Sequence, residues 1–466
     1  MRKVELGLLA VVAAALLVGG ASLGATERYL KANAAGERLP AFGFAPPDPR
    51  GLGVYLGALL IVHVAFVLSG RRTDQILLPA AAMLGGIGLL LMQRLPQSLV
   101  SQSIGSLQLD LGQLQLLWLM ISLTVLALLA LFVRSDRWLR AYKYTWAAAG
   151  IVLLAMTFVF GNDVNGARLT LSIGPVSGQP SELLKVILVV FLAAYLSENR
   201  SLLADESTRL GPLRLPPIPY LAPMVAMWAI ALGIVVVQRD LGAALLFFAV
   251  FLALLYVATG RGSYVVLGLV LFIAGSWVLY ELFAHVQVRV NNWINPFADP
   301  LGSGFQTVQA LYAFARGGLL GVGLGAGLPT IAGNLPVPAV HTDYPLAALG
   351  EELGLVGLLA IFGLYLVIVE RGLRIAATAH DDFRALLAAG LSLVIGIQAF
   401  IIAAGNLKLI PLTGITLPFI SYGGSSLLAN AIAVGLLLAL SDRGGAVPPP
   451  PPRERRWARR LRRGAA

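Results

Sequence analysis

Apolar residues fall along this chain in long blocks separated by short polar breaks. The blocks have the length a bilayer asks of a helix, roughly 20 residues with room for shorter or tilted spans. Twelve such windows can be laid down. Six lie at about 4–23, 54–68, 76–92, 114–133, 144–160 and 183–196, and six more at about 220–237, 241–259, 264–283, 346–369, 383–404 and 426–440. The pattern predicts an all-α polytopic membrane protein with about 12 transmembrane helices. Arg2 and Lys3 precede the first window and small residues follow it, as in a cleaved signal peptide, but its length and the span close behind it favour a retained helix.

One break is unlike the others. Between the ninth and tenth windows lie about 60 residues, 284–344, rich in Gly and Pro and only moderately polar. A structureless connection of that length is uncommon, so this large outer loop is expected to fold against the bundle as interfacial or re-entrant pieces. Its glycine-dense run, 317–327, predicts close backbone approach to another helix or to a ligand. A glycine-rich nucleotide loop is a poor reading, because no strand precedes it.

Composition agrees with the pattern. Hydrophobic residues make up 58% of 466 positions and charged residues 12%, with mean hydropathy +0.82. The absence of cysteine excludes disulfides and thiolate metal sites, and four histidines are too few for a histidine cluster. Carboxylates are present without a ligand spacing that singles out an ion, so the sequence requires no cofactor and leaves a divalent cation possible. Much of the net charge of +11 lies in the tail beyond Val447, where a polyproline spacer leads into a basic segment carrying Trp457 and Leu461. That tail reads as a stop signal resting on anionic membrane lipids, with no nucleic acid as partner.

Loop charges set an orientation. With the N-terminus cytoplasmic, inner segments hold about 23 Lys and Arg and outer ones about 10, which places both termini on the cytoplasmic side. The same topology puts the polar motifs on one face, although it was not drawn to do so. Asn165 to Arg168 and Ser181-Glu182 follow the fifth span, Gln238-Arg239-Asp240 follows the seventh, Asp343 precedes the tenth, and Asn406 and Lys408 follow the eleventh.

Each has a plainer reading beside the functional one. Glu182 and Lys185 are three apart on one helix, as a structural salt bridge would be. Asp240 stands where a helix cap would. Arg168 and Arg239 suit snorkelling anchors, yet as outer cations they also invite an anion. Lys408 and the Ser425-Ser426 pair fit a loop and a cap, Glu351 and Glu352 a first-turn pair, and His341 a packed ring. For Asp343 the functional reading leads, since a carboxylate among apolar helices at a membrane boundary is costly unless used or paired. Pro345 is expected to open the tenth helix with Tyr344 as its cap.

Five motifs taken together resemble the SEDS proteins, FtsW and RodA: Gly166-Ala-Arg with Gln179-Pro-Ser-Glu182; Gln238-Arg-Asp-Leu-Gly242; Asp299-Pro-Leu-Gly-Ser-Gly-Phe-Gln306; His341-Thr-Asp343 with Gly350-Glu-Glu-Leu-Gly354; and the run from Pro411 to Ser426. The resemblance covers about Thr73 to Ser441. It implies a two-helix membrane extension at 1–72, a SEDS membrane domain at 73–441 and a Pro-rich, basic cytoplasmic tail at 442–466. It further implies a peptidoglycan glycosyltransferase that polymerises lipid II at the outer face of a bacterial cytoplasmic membrane, in cell elongation or division. Its partner would be a class B penicillin-binding protein acting as transpeptidase on the undecaprenyl-linked glycan.

On the same resemblance Asp343 is the catalytic residue. Arg168, Arg239 and Lys408 are candidate pyrophosphate stabilisers, and Glu182, Lys185, Gln238, Asp240, Gln306 and Ser425 complete the substrate-binding set. The chain departs from many members at Leu169-Thr-Leu, at Gly178 and at Tyr344-Pro345. Two other functions stand beside it: a lipid-linked precursor flippase, which also needs a polar path through a helical bundle, and a non-catalytic scaffold that recruits the transpeptidase.

Overall fold

The computed structural model describes residues 2–35, 48–96, 99–104, 107–164, 167–173, 176–205, 208–210, 213–215, 218–327 and 336–442. The basic tail and its proposed lipid contacts, and Asn165 and Gly166 of the first motif, lie outside the described residues, as does the side chain of Arg168.

Fifteen α-helices are described. In chain order they are α1 (Lys3–Ala35), α2 (Pro49–Leu68), α3 (Leu77–Arg94), α4 (Leu111–Phe132), α5 (Arg137–Ala141), α6 (Lys143–Phe160), α7 (Pro180–Asp205) and α8 (Ile218–Val237). Then come α9 (Leu241–Thr259), α10 (Gly262–Leu282), α11 (Ala284–Ile294), α12 (Phe305–Gly317), α13 (Pro345–Ala377), α14 (Asp382–Asn406) and α15 (Gly424–Leu440). Every one of the twelve apolar windows falls on a helix. Nine of these are long and apolar enough to cross a membrane, and α15 and the Val225–Val237 part of α8 are shorter apolar helices. Short antiparallel ribbons, which the all-α expectation did not include, join α3 to α4, α6 to α7 and α7 to α8.

Burial separates the helices into inner and outer ones. The most apolar window of α7 is 83% buried and that of α14 is 72%, whereas that of α10 is 6%. α7 and α14 are therefore the centre of the bundle, and α10 turns an apolar surface outward as a lipid-facing helix does. At the remote end α1 and α2 are tied to the start of α3 by charge. Arg2 pairs with Glu5 and donates to the Thr73 hydroxyl at 2.7 Å, and the Glu5 carboxylate lies 2.6 Å from His63 Nδ1. All four residues are buried.

The segment between α10 and α13 folds against the bundle as expected, as α11, a 3-10 turn at Pro296–Ala298, and α12. The glycine-dense run after α12 explains a departure from the sequence expectation. Window 346–369 reads as one unbroken helix, but α13 is broken at Gly354, where φ is 64° and ψ is −170°. The run inserts there. The amides of Val322 and Gly323 donate to the carbonyls of Glu351 and Glu352, and the amides of Leu355 and Val356 donate to those of Gly318 and Leu319. A Cβ on Gly354 would lie 2.3 Å from the Gly321 nitrogen, so the two backbones meet only because neither carries a side chain. Glu351 and Glu352 are buried at this break, 3.0 Å from Arg316 and 3.4 Å from Arg94. They hold the packing of the loop rather than a first turn.

Candidate active site

The turn before α13 is built from its backbone outward. The amides of Thr342, Asp343 and Tyr344 all donate to the Ala339 carbonyl, at 3.1, 2.9 and 3.2 Å. Tyr344 caps α13 and Pro345 follows at its first position, as expected. Three successive carbonyls of the turn are then held from elsewhere: His341 by the Tyr422 amide at 2.8 Å, Thr342 by Ser421 Oγ at 2.7 Å, and Asp343 by Asn406 Nδ2 at 2.8 Å. The Tyr344 hydroxyl meets Thr307 Oγ1 at 3.2 Å, fixing α12 to the same turn. The main chain carrying Asp343 is thus fixed by two other segments, the end of α14 and the turn before α15, while its side chain stays half-buried.

Burial pushes the Asp343 carboxyl above the usual carboxylate range. The Thr342 hydroxyl and the charge of Arg289 oppose the rise, and Asp240 adds to it. Arg289 stands on α11 and donates through Nη1 to the carbonyls of Leu412 and Thr413, at 3.1 and 3.0 Å. One turn earlier on the same helix, His285 is held below the usual histidine range by burial and by the charges of Arg239 and Arg289. Its Nε2 is buried without a hydrogen-bond partner among the described residues. The site thus places a carboxylate within the field of Arg289, with Arg239 and His285 alongside.

The motifs flagged in the sequence converge unequally. Asp240 caps α9 by accepting from the Ala243 amide at 3.0 Å, and also accepts from Gln179 Nε2 at 3.0 Å and Ser181 Oγ at 3.1 Å. The cap of α9 is therefore also tied to the segment that opens α7. The Gln179 amide donates to Ser425 Oγ at 2.9 Å. Glu182 and Lys185 form the buried salt bridge, 2.5 Å apart, and belong to a longer circuit. Lys185 donates to Gln398 Oε1 at 2.7 Å, Gln398 donates to the Thr416 carbonyl at 2.8 Å, and Thr416 Oγ1 reaches Glu182 Oε1 at 3.2 Å and Ser426 Oγ at 2.6 Å.

Other candidates sit apart from that circuit. Gln238 is buried and donates to the Leu154 carbonyl at 3.1 Å and to Thr157 Oγ1, tying the end of α8 to α6. Lys408 donates to the Ile294 carbonyl at 3.2 Å, and Trp293 Nε1 donates to the Lys408 carbonyl at 3.1 Å, so it fastens the end of α11. Arg239 is exposed, with φ at 65°, and Gln306 is half-buried in the first turn of α12. Arg168 lies in the strand Ala167–Ile173, opposite Asp163. His341 packs its ring against Tyr422 at 6.1 Å between centroids. Among the described residues no three His, Cys, Asp or Glu side chains gather as a metal site.

Arg289 and His285 were missed from sequence, as were Gln398, Thr416 and Ser421. The signal for the first two was a His and an Arg four apart in the outer segment, which one face of a helix brings together.

The comparisons with known proteins bear on the family and the fold. The family described as Cell cycle protein, grouping FtsW, RodA and SpoVE, matches residues 74–444. A protein of Mycobacterium tuberculosis named peptidoglycan glycosyltransferase RodA is 44% identical over 81% of this chain and 80% of its own length. A probable peptidoglycan glycosyltransferase FtsW of Geobacter metallireducens is 35% identical over 68% of this chain and 81% of its own. Among solved structures, a peptidoglycan synthase complex described as coordinating polymerization and crosslinking aligns with a TM-score of 0.63 at 26% identity, covering 81% of this chain and 99% of that one. The Thermus thermophilus rod shape determining protein RodA aligns with a TM-score of 0.53 at 24% identity, over 79% and 97%, and shows the shared fold. With its apolar helices, its motif order and these relatives, the chain is a multi-pass membrane protein of the FtsW/RodA/SpoVE family.

Proposed function

We propose that this protein is a peptidoglycan glycosyltransferase that polymerises lipid II into glycan strands at the outer face of the bacterial cytoplasmic membrane, with both termini cytoplasmic. The observation that carries the reading is the Asp343 turn, whose three carbonyls are fixed by Asn406, Ser421 and Tyr422 while the carboxylate sits in the field of Arg289. The names of the relatives support the activity. The solved peptidoglycan synthase complex supports a class B penicillin-binding protein as partner.

In this reading the Asp343 carboxylate takes the proton of the acceptor sugar hydroxyl as the new glycosidic bond forms at the donor C1. The donor C1–O bond to phosphate breaks, and the lipid pyrophosphate leaves with the electron pair. Negative charge grows on that leaving group, so fixed cations in a partly dry site favour the transition state over the ground state. Arg289 and Arg239 are the cations placed for this, and Lys408 instead holds α11 in place. The reading requires no protein-held cofactor, and a divalent cation, where one takes part, arrives with the pyrophosphate as part of the substrate.

The test is purification with the cognate transpeptidase, addition of lipid II and separation of the glycan products, for the natural protein and for Asp343→Ala. Glycan strands from the natural protein and none from the variant are expected. Normal polymerisation by Asp343→Ala removes the base assignment. Flipping of lipid in vesicles without polymerisation by either protein transfers the case to the flippase, and neither activity leaves the scaffold.

A further inference from the structure

At the end of the bundle remote from Asp343, a cavity of about 1380 Å³ opens between the first two helices and the rest of the chain. α13 connects the two sites: Asp343 precedes it and Arg371 stands near its far end, roughly 40 Å along a helix at 1.5 Å per residue. The cavity walls come from the start of α1, the end of α2 and the link to α3, and the far ends of α13 and α15. It therefore lies on the seam that Arg2, Glu5, His63 and Thr73 hold together.

Its surface is of two kinds. Its apolar lining comes from Val4, Val67, Ile375 and Leu440, with Phe66 buried beneath the Arg2 guanidinium, which lies 5.1 Å from its ring centre. Its charged lining holds Arg71, Arg72, Arg371 and Arg374, with His380 beside them and Arg384 already paired with Asp136 and Asp381, against two carboxylates, Asp74 and Asp442. Both carboxylates are engaged. Asp74 accepts from Arg371 at 2.9 and 2.6 Å, and Asp442 lies 3.6 Å from Arg71 Nε and accepts from the Arg72 amide at 3.1 Å. Arg72 and Arg374 are exposed at the rim, and the pairing of Arg374 with exposed Glu370 on its own helix contributes little in water. Burial holds the Arg71 guanidinium below its usual range, opposed by the charge of Asp442, with Arg134 adding a smaller push downward.

We propose that this cavity binds an anionic phospholipid, its phosphate head between Arg72, Arg374 and His380 and its first acyl carbons along Val67, Ile375 and Leu440. A free phosphate has no use for the apolar wall, and an acidic protein segment would leave its backbone against that wall without hydrogen bonds. The rule that places arginines on the cytoplasmic side accounts for the charge, but not for a concave site that joins charge to apolar depth. The bound lipid seals the seam between α1–α2 and the core. The proposal stands apart from the glycosyl transfer reading, and its test does not read polymerisation.

The full chain is placed in nanodiscs of phosphatidylcholine containing a minority of phosphatidylglycerol, extracted gently, and weighed by native mass spectrometry for retained lipid. Retention of one phosphatidylglycerol in preference to phosphatidylcholine is expected. Arg72→Gln and Arg374→Gln, both at exposed positions, are each expected to weaken retention about fivefold. The paired control Arg137→Gln with Arg140→Gln removes charge from the same end outside the cavity and is expected to leave retention unchanged. Equal losses in cavity and control variants overturn the proposal, since surface attraction then suffices. Displacement of the lipid by millimolar glycerol phosphate also overturns it, in favour of a soluble phosphate ligand.

Discussion

Asn406, wholly buried at the end of α14, donates its side-chain amide to the main-chain carbonyl of Asp343 at 2.8 Å across 63 residues of sequence. The bond fixes where the carboxylate starts without touching the carboxylate itself. Asn406→Ala leaves that carbonyl without its donor, at a cost of about 2 kcal/mol, and is expected to slow polymerisation about tenfold or more through misplacement of Asp343. Asn406→Asp, which cannot donate when ionised and adds negative charge beside Asp343, is expected to be worse. Thermal unfolding and lipid II polymerisation measured on the same preparations check both, and unchanged activity in either variant means the turn is held without this bond.

Asp343 links activity to stability. Its carboxyl is raised in the folded protein, chiefly by burial, so the neutral form is the one the fold favours. That contribution is complete below the ordinary carboxylate range and is lost as pH rises through the folded value, whereas the base must be ionised to act. Asp343→Asn is therefore expected to abolish polymerisation yet unfold at higher temperature than the natural protein at neutral pH. The gap should close on acidification. Thermal melts across a pH series measure it, and a gap that widens toward acid contradicts the assignment.

Arg289 lowers the Asp343 carboxyl against that rise. Arg289→Ala is expected to move the acid limb of the polymerisation profile to higher pH. Arg289→Lys, which keeps the charge but not the planar grip on the Leu412 and Thr413 carbonyls, is expected to restore the limb while leaving the maximal rate depressed. A rate loss with no movement of the limb would limit Arg289 to holding the loop.

Gly354 is the point where α13 opens to receive the glycine-dense run. Gly354→Ala forces a Cβ into a left-handed backbone position and against the Gly321 nitrogen, and is expected to cost about 3 kcal/mol. Because the helix segment from Pro345 to the break carries the Asp343 turn, activity should fall with stability. A melt within a degree of the natural protein would show that the loop has another way to seat.

The circuit through Glu182 and Lys185 separates structural from substrate roles. Lys185→Met alone strands a buried carboxylate and is expected to cost about 3–5 kcal/mol, while Lys185→Met with Glu182→Gln should recover most of it. If polymerisation returns with stability, the pair serves the fold. If stability returns alone, the charges serve the substrate.

The sequence by itself determined that the chain is a bundle of long apolar helices, and it singled out Asp343 as the residue on which the proposed chemistry rests. It could do so because spanning a bilayer leaves a helix almost no freedom of composition, and a carboxylate at the membrane boundary stands out against that background. It also determined that the segment between α10 and α13 folds, in its described residues, and that its glycines sit against another backbone. The break at Gly354 was hidden, since an apolar helical pattern does not register a single residue whose φ is set by a neighbour 33 positions earlier, Gly321. The partners of each polar side chain were likewise decided by tertiary structure alone. Gln238 and Lys408 read as site residues and turned to Leu154 and Ile294, while Arg289, an unremarked cation on a short helix, came to stand in the field of Asp343. Inside a bundle a polar group must find a partner among whatever helices pack against it, and that choice follows from the packing rather than from the local sequence.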